Sequence, residues 1–396
     1  MKQKKPFNIV MYSHDTYGLG HIRRTMALAS RFRNPDTNVI ILTGSPIVGR
    51  FAFPEQIDFV RIPGMIKKTN EEYLPLSIKI NANHVLNIRK SIIAATVKSF
   101  CPHLFIVDKE PLGLKKEILP TLKWLQKNAP RTRIVLGLRD IMDDAAIVRT
   151  VWRKKGIYRA LETYYSDIWV YGIQDFYDPI KEYNISESVA EKIHFTGYIP
   201  RKVRTRGDAL NERKRHKITG EDTLVLVPTG GGGDGYPVMD AYLSMLELLG
   251  AGNPYKSILI TGPFMPKAQR MDVLMRARKV KALVFHFYRQ METIIAASDL
   301  VISMGGYNTL CELMSQRKLS LLIPRETPRM EQTIRAQCFK ERNLLDYIPW
   351  KTLSPESLLQ KMEQMLQRPD VFQEAMSSFK MTGFEVMQQR IQQFRK

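Results

Sequence analysis

Cysteine is nearly missing from this chain of 396 residues: Cys101, Cys311 and Cys338 are too few and too scattered for a disulfide framework or a cysteine-based zinc site. Long apolar runs are missing as well. Nowhere do 18 or more apolar residues stand together, so no stretch has the composition of a membrane-spanning helix. The basic start Met1-Lys2-Gln3-Lys4-Lys5 leads into a short apolar run that soon meets His14 and Asp15, without a small-residue cleavage site, which predicts a cytoplasmic rather than a secreted protein. Acidic residues are in deficit, 39 against 60 Lys plus Arg, leaving a formal charge of +21. Such a field favours anionic partners: nucleic acid, an acidic membrane face or phosphorylated substrates. The sequence has no zinc-finger, RNA-recognition or basic-heptad signature, which argues against nucleic acid. It also has no Gly-Lys-Ser/Thr of a P-loop, and Arg23 stands where a dinucleotide fingerprint needs its third glycine. With no Asp-x-Asp at a strand end, and Asp143-Asp144 read as a helix-start acid pair, the expectation is chemistry without a metal or a cofactor.

What is present is an alternation of short Val, Ile and Leu runs with longer helical stretches, the pattern of βαβ units on a parallel sheet. The class is α/β. Strands are predicted at 9–13, 39–43, 59–62, 104–107, 134–138, 168–171 and 193–195, and again at 223–227, 257–260, 283–287, 300–303 and 320–323. The intervening stretch 201–222 is polar, basic and without an apolar period, which predicts a linker. The expected organisation is therefore an N-terminal Rossmann-like domain over 1–200, the linker 201–222, a second Rossmann-like domain over 223–370, and an amphipathic helix over 371–396 that packs back on the first domain. Two such domains would face each other across a cleft, with the carboxyl ends of both sheets toward one ligand.

Three motifs sit at strand-to-helix junctions. In the first, Asp15-Thr16-Tyr17-Gly18-Leu19-Gly20-His21-Ile22-Arg23-Arg24, a strand ends in Gly18-x-Gly20 and a helix follows, presenting main-chain N–H groups to an anion. His21 stands at that helix start as a candidate general base, with Arg24 adding positive charge. The second, Gly230 to Gly233 followed by Asp234 and Gly235, predicts a phosphate cradle before a helix that begins near Pro237. In the third, Met304-Gly305-Gly306-Tyr307-Asn308-Thr309-Leu310-Cys311-Glu312, Asn308 and Glu312 share a helical face. There a carboxylate can accept from a ribose diol while Thr309 and the glycine amides address phosphate. Each motif read singly also has a structural explanation: a tight turn, a surface loop, or an acid at the positive end of a helix.

The three motifs in this order resemble the family 28 glycosyltransferases of GT-B fold, which include peptidoglycan and galactolipid enzymes. The similarity is strongest over about 223–342. It implies a nucleotide-sugar donor, usually a UDP-sugar, held mainly by the second domain. Carried onto this chain, the resemblance puts Glu312 on the ribose hydroxyls and Gly231, Gly232, Gly306 and Thr309, with Gly305 and Asn308 beside them, around the diphosphate. It puts Glu331 and Gln332 on the donor sugar, the loop from Phe287 to Met291 beside the base, and Gly18, Gly20 and His21 on the acceptor side. A Gln-Gln pair is common in the family where Glu331-Gln332 stands here, so the sugar is left open. The acceptor implied is a sugar or a lipid-linked saccharide, reached by docking of the basic surface on an anionic membrane face, with Met65-Ile66 beside Lys67-Lys68 adding apolar contact. The expected activity is thus glycosyl transfer with His21 as base. The alternatives are a nucleotide-sugar hydrolase, whose Gly-x-Gly-His turn is similar, and, from another class, a nucleic-acid-binding protein or a non-catalytic nucleotide-sugar sensor.

Overall fold

In the computed structural model, residues 6–14, 20–67 and 73–395 are described, without the side chain of residue 67. The chain forms two compact units, Met1–Gly197 with Thr382–Lys396, and Tyr198–Met381.

The strands of the first unit are β1 (Phe7–Ser13), β2 (Thr37–Thr43), β3 (Ile57–Arg61), β4 (Met65–Lys67), β5 (Tyr73–Pro75), β6 (Leu104–Asp108), β7 (Arg133–Arg139), β8 (Asp167–Tyr171) and β9 (Ile193–Phe195). Seven of them make one parallel sheet in the order β3-β2-β1-β6-β7-β8-β9. Helices cover both faces, which is why β6 and β8 are buried at every residue and read as unbroken apolar runs rather than alternating ones. The strand order reverses direction between β1 and β6. Loops leaving the carboxyl ends of those two strands therefore diverge, and the crevice between them is where a doubly wound sheet receives ligands.

The antiparallel ribbon of β4 and β5 was not anticipated. Its Met65 is 1 % exposed and packs with Val85 and Leu114, so this methionine supports the ribbon and does not furnish the apolar membrane contact expected of it. Lys68 lies outside the described residues. Asp144 does cap a helix, Ala145–Lys155, accepting from the N–H groups of Ala146 and Ile147 at 2.9 and 3.2 Å.

In the second unit β10 (Thr223–Pro228), β11 (Tyr255–Ile260), β12 (Leu283–Phe285), β13 (Leu300–Ser303), β14 (Ser320–Leu322) and β15 (Asp346–Tyr347) form a parallel sheet in the order β12-β11-β10-β13-β14-β15. The winding repeats that of the first unit, with its reversal between β10 and β13. The stretch expected to be a linker belongs to this unit and carries the helix Arg206–Arg215, opened by a reciprocal Thr205–Asp208 capping box. Its anchor is a cation rather than an apolar stripe: the Arg213 guanidinium donates to the carbonyls of Thr219, Ala297 and Asp222 and to Asp299. A helix fastened this way shows no hydrophobic period, which is why composition read it as linker. The C-terminal stretch divides in two. The helix Pro369–Ser378 lies in the second unit and Gly383–Phe394 in the first, where Phe394 lies parallel to Trp169 with ring centroids 6.5 Å apart and Gln388 donates to the Arg31 carbonyl at 3.1 Å. Among the described residues no helix is long and apolar enough to cross a membrane.

Candidate functional site

In the first unit the helix Gly20–Phe32 starts just past β1, and Asp108 closes β6, so both stand at the strand-order reversal. His21 and Arg24 are three residues apart on one helical face, and both reach Asp108. The Nδ1 of His21 pairs with Asp108 Oδ2, while Arg24 donates from Nε at 3.1 Å and from a terminal nitrogen to Oδ1. All three are buried, at 7 %, 0 % and 5 % exposure for His21, Arg24 and Asp108. Burial alone would raise the Asp108 carboxyl, but Arg24 and His21 outweigh it and hold the group well below the usual carboxylate range. An ionised Asp108 accepts only, which assigns the proton of neutral His21 to Nδ1 and leaves a lone pair on Nε2. Burial pushes the His21 imidazole well below its ordinary value, with Arg139 and Arg24 adding to that against the pull of Asp108.

Arg24 therefore has a different role from the phosphate contact expected of it: fully buried, with its guanidinium 5.6 Å from the Tyr171 ring, it fixes Asp108. Gly20 is the first residue of the helix, and Gly18 lies outside the described residues.

A second imidazole, His14, is also buried, its ring 5.9 Å from that of His21. Burial drives it down to about 4, against the opposing pull of Glu110 and with Lys109 assisting. The consequence is a pH dependence with a defined sign. The native pKa lies below the unfolded value of about 6.5, so the unfolded chain binds the proton first; stability from this group is complete above pH 6.5 and is lost as pH falls toward 4, by about 3 kcal/mol. Urea titrations at a series of pH values, followed by tryptophan fluorescence, test this, since Trp124, Trp152 and Trp169 all lie in the first unit. His14→Gln is expected to flatten the decline by that amount.

In the second unit the candidate donor residues gather at the carboxyl ends of neighbouring strands. Gly231 and Gly232 follow β10, Gly305 and Gly306 follow β13, and Glu331 and Gln332 open the helix Glu331–Lys340 beyond β14. The tetraglycine segment folds into a tight turn in which the Gly232 N–H donates to the Thr229 carbonyl at 3.2 Å and the Phe264 N–H to the Gly231 carbonyl at 2.8 Å. Gly306 is the N-cap of the helix Tyr307–Ser315, whose first turn holds Asn308 and Thr309. Asn308 accepts from Arg201 at 2.8 Å, and Glu312, one turn further on, is buried.

Arg325 ties two of these places together, a residue that sequence reasoning had missed. Its guanidinium donates to Asp234, on the glycine turn, and at 3.0 Å to Glu331, and its main-chain N–H donates to Gln332 Oε1 at 3.2 Å. Glu331 Oε1 and Gln332 Oε1 are thus engaged within the protein, whereas Glu331 Oε2 is buried without a hydrogen-bond partner among the described residues.

Phe287 follows β12, two strands from β10 and its tetraglycine turn, and is 59 % exposed. The strand expected to run through Phe287 stops at Phe285 because Tyr288 turns inward. There its hydroxyl meets Glu212, and His216 at 2.7 Å, both from the helix Arg206–Arg215 or its cap. This clamp connects the basic helix to the loop that displays Phe287 and leads to Met291. Tyr288→Phe removes the hydroxyl and leaves a buried Glu212 short of a donor, at a cost of about 1–3 kcal/mol. Differential scanning calorimetry is expected to show the loss in the second unit, with faster amide exchange over 286–290.

Asp108, Arg139 and the Glu212–His216–Tyr288 cluster were likewise not anticipated. Asp108 had a signal: it is a charged residue closing the otherwise apolar run Leu104-Phe105-Ile106-Val107. The others depend on contacts between residues far apart in the chain.

Residues 225–391 match the glycosyltransferase family 28 C-terminal domain. The chain is similar to UDP-N-acetylglucosamine--N-acetylmuramyl-(pentapeptide) pyrophosphoryl-undecaprenol N-acetylglucosamine transferases. It is 33 % identical to that of Streptococcus uberis over 88 residues, 22 % of this chain and 25 % of the relative, and 27 % identical to one from Streptococcus thermophilus over 189 residues, 47 % and 50 %. The chain spans half the length or less of these curated relatives. Among solved structures it is similar to the MurG of Acinetobacter baumannii, with TM-score 0.62, 13 % identity and coverage of 98 % of this chain and 100 % of the other. It is also similar to a UDP-glucosyltransferase of Polygonum tinctorium, with TM-score 0.68, 10 % identity and 100 % coverage of both. The fold is that of the GT-B glycosyltransferases, and the second unit is family 28-like.

Proposed function

We propose that this chain, GT-B in fold and family 28-like over its second unit, transfers a sugar from a nucleotide-sugar, a UDP-sugar, to an acceptor hydroxyl. The observation that carries the reading is the His21–Asp108–Arg24 arrangement at the strand-order reversal of the first unit: a neutral imidazole with Nδ1 fixed and the Nε2 lone pair left as base.

In this reaction the acceptor O–H donates to His21 Nε2 and passes its proton there as the oxygen forms a bond to the anomeric carbon. The bond from that carbon to the β-phosphate oxygen breaks, and the nucleoside diphosphate leaves with its new charge. Asp108 stabilises the imidazolium that results, and Arg24 keeps Asp108 ionised and in place. On the donor side, the glycine turn after β10 comes up against the diphosphate, and main-chain N–H groups of the helix that begins at Tyr307 donate to it, with Thr309 and Asn308 beside them. Glu312 takes the ribose hydroxyls. Phe287 offers an exposed ring to the base, and Glu331 and Gln332, braced by Arg325, address the donor sugar. Charge on the leaving group is met by these N–H groups and by arginine, with no metal in the scheme. The acceptor is a sugar or a lipid-linked saccharide, met at an anionic membrane face by a chain of charge +21.

The test is calorimetric and thermal-shift titration of the full chain with UDP, UDP-sugars and other nucleoside diphosphates, paired with an assay for UDP release. Selective stabilisation by one UDP-sugar, with UDP release that requires an added hydroxyl acceptor, is the expected result. Release at full rate with water alone would make the protein a hydrolase, and the lack of any nucleotide binding would remove the proposal.

A further inference from the structure

Arg325 stands just beyond β14 and joins loops that leave two different strands. Those strands, β10 and β14, flank β13, whose Gly305-Gly306 turn opens the helix Tyr307–Ser315. One terminal nitrogen of the guanidinium donates to Asp234, directly after the glycine turn, at 2.5 Å, and the other to Glu331 Oε1 at 3.0 Å. The main-chain N–H of the same residue donates to Gln332 Oε1 at 3.2 Å, and its carbonyl accepts from the Thr333 hydroxyl at 3.3 Å. Arg325 therefore holds both members of the buried Glu331-Gln332 pair, one by side chain and one by backbone. These contacts also sort the pair chemically. A main-chain N–H needs an acceptor, so the Gln332 amide turns its oxygen to Arg325 and keeps its NH₂ as the other end, while a carboxylate only accepts. The pair thus has one donor end and, in Glu331 Oε2, one acceptor not engaged among the described residues. Two neighbouring hydroxyls of a sugar ring match that pattern, since a hydroxyl both donates and accepts.

We propose that Arg325 is a positioning residue of the donor site, which holds Glu331 and Gln332 in the geometry that takes the sugar and ties them to the glycine turn that meets the diphosphate. The inference rests on the transfer reading above and adds to it the residue that couples the two ends of the donor. A side chain locked by its neighbours keeps a binding geometry that a free rotamer loses. The planar fork of arginine fixes two carboxylates from separate loops in defined directions, which the point charge of lysine does not. The affinity gained from the sugar then depends on Asp234, although Asp234 belongs to the loop of β10 and the sugar-facing pair to that of β14.

The test measures by calorimetry, on the full chain, how much tighter each of a panel of UDP-hexoses binds than UDP itself. In the wild type at least one UDP-hexose is expected to bind tighter than UDP. Arg325→Met is expected to lower that ratio by about tenfold, with a smaller change in UDP affinity, and Arg325→Lys to recover part of the loss. Asp234→Asn is expected to lower the ratio as well, and to have no further effect once Arg325 is replaced by Met. Arg325→Met leaves the buried Glu331 carboxylate without its cation, so urea midpoints accompany the titrations. Should that variant not fold, Arg325→Lys, which keeps a cation beside Glu331, takes its place in the cycle with Asp234→Asn. A ratio unchanged in every folded variant overturns the assignment, as does an equal loss of UDP and UDP-hexose binding. An Asp234→Asn effect of the same size with and without Arg325 overturns the coupling. A wild type that binds neither UDP nor any UDP-hexose removes the transfer reading and this assignment with it, whereas a UDP-hexose preference that survives in Arg325→Met removes the assignment alone.

Discussion

His21→Ala is expected to lower the rate of sugar transfer by about 10²–10⁴-fold while leaving nucleotide affinity unchanged, because it removes the proposed general base, whereas the candidate nucleotide-binding residues belong to the second unit. Asp108→Asn should approach the same loss by a different route. The carboxylate accepts from Nδ1, so the basic lone pair sits on Nε2. A carboxamide turned to give its N–H to Nδ1 stabilises the opposite tautomer, with the proton on Nε2 where the substrate hydroxyl must donate. Arg24→Met is a control of another kind: it strands a buried, ionised Asp108, and removing one partner of such a pair costs about 3–5 kcal/mol. The three variants are separable by transfer rate, UDP calorimetry and urea midpoint. A His21→Ala protein with wild-type turnover would end the base assignment, whatever its stability.

Gly232→Ala is expected to have the largest effect among the glycines of the donor turn. Gly232 has φ +85°, and a Cβ placed there would lie 1.9 Å from the Thr261 carbonyl oxygen, a main-chain atom at the end of a central strand that has no room to yield. Left-handed strain of about 1–2 kcal/mol and overpacking of about 1–3 kcal/mol add, so the variant loses about 3 kcal/mol or more from the second unit. With the turn displaced, nucleotide affinity is expected to fall by more than about tenfold. Two neighbours serve as comparisons. Gly230 also has positive φ, +64°, but nothing within 4 Å of its Cβ position, so Gly230→Ala should show the strain alone, about 1 kcal/mol. Gly233 has ordinary φ and its nearest neighbours at 4.0 Å, so Gly233→Ala should be nearly silent. Thermal melts and UDP titrations of the three variants give the ranking directly, and equal losses at all three positions would refute the packing argument.

The strands were legible where burial on both faces left continuous apolar runs. β1, β6, β8 and β13 fall where the Val, Ile and Leu runs place them, because a central parallel strand must be apolar on both sides. β15, with two residues, and the β4–β5 ribbon were not legible, since their pairing partners rather than their own composition define them. The basic helix Arg206–Arg215 was lost for a related reason: Arg213 makes its anchoring contacts with carbonyl oxygens, and no hydrophobic period records that.

In the candidate site, the sequence located His21, the tetraglycine turn and the Gly305-Gly306 helix opening, because a strand followed by glycine and then a helix is a local pattern. Their residue types suggest the chemistry proposed above, anion binding by main-chain N–H groups and proton transfer by imidazole. What the sequence could not contain was partnership. His21 meets Asp108 across 87 positions and Arg139 across 118, and Arg325 reaches Asp234 across 91. Only the winding of each sheet, which sets β1, β6 and β7 side by side in the first unit and β10, β13 and β14 side by side in the second, puts those side chains within reach of one another. So the sequence by itself determined the α/β class and which backbone turns could cradle an anion. Tertiary structure decided the tautomer of His21, that Arg24 pairs with the Asp108 carboxylate, and that a second arginine faces His21 Nε2. Propensity and periodicity act between near neighbours in the chain, whereas charge, tautomer and hydrogen-bond partner depend on distance in space.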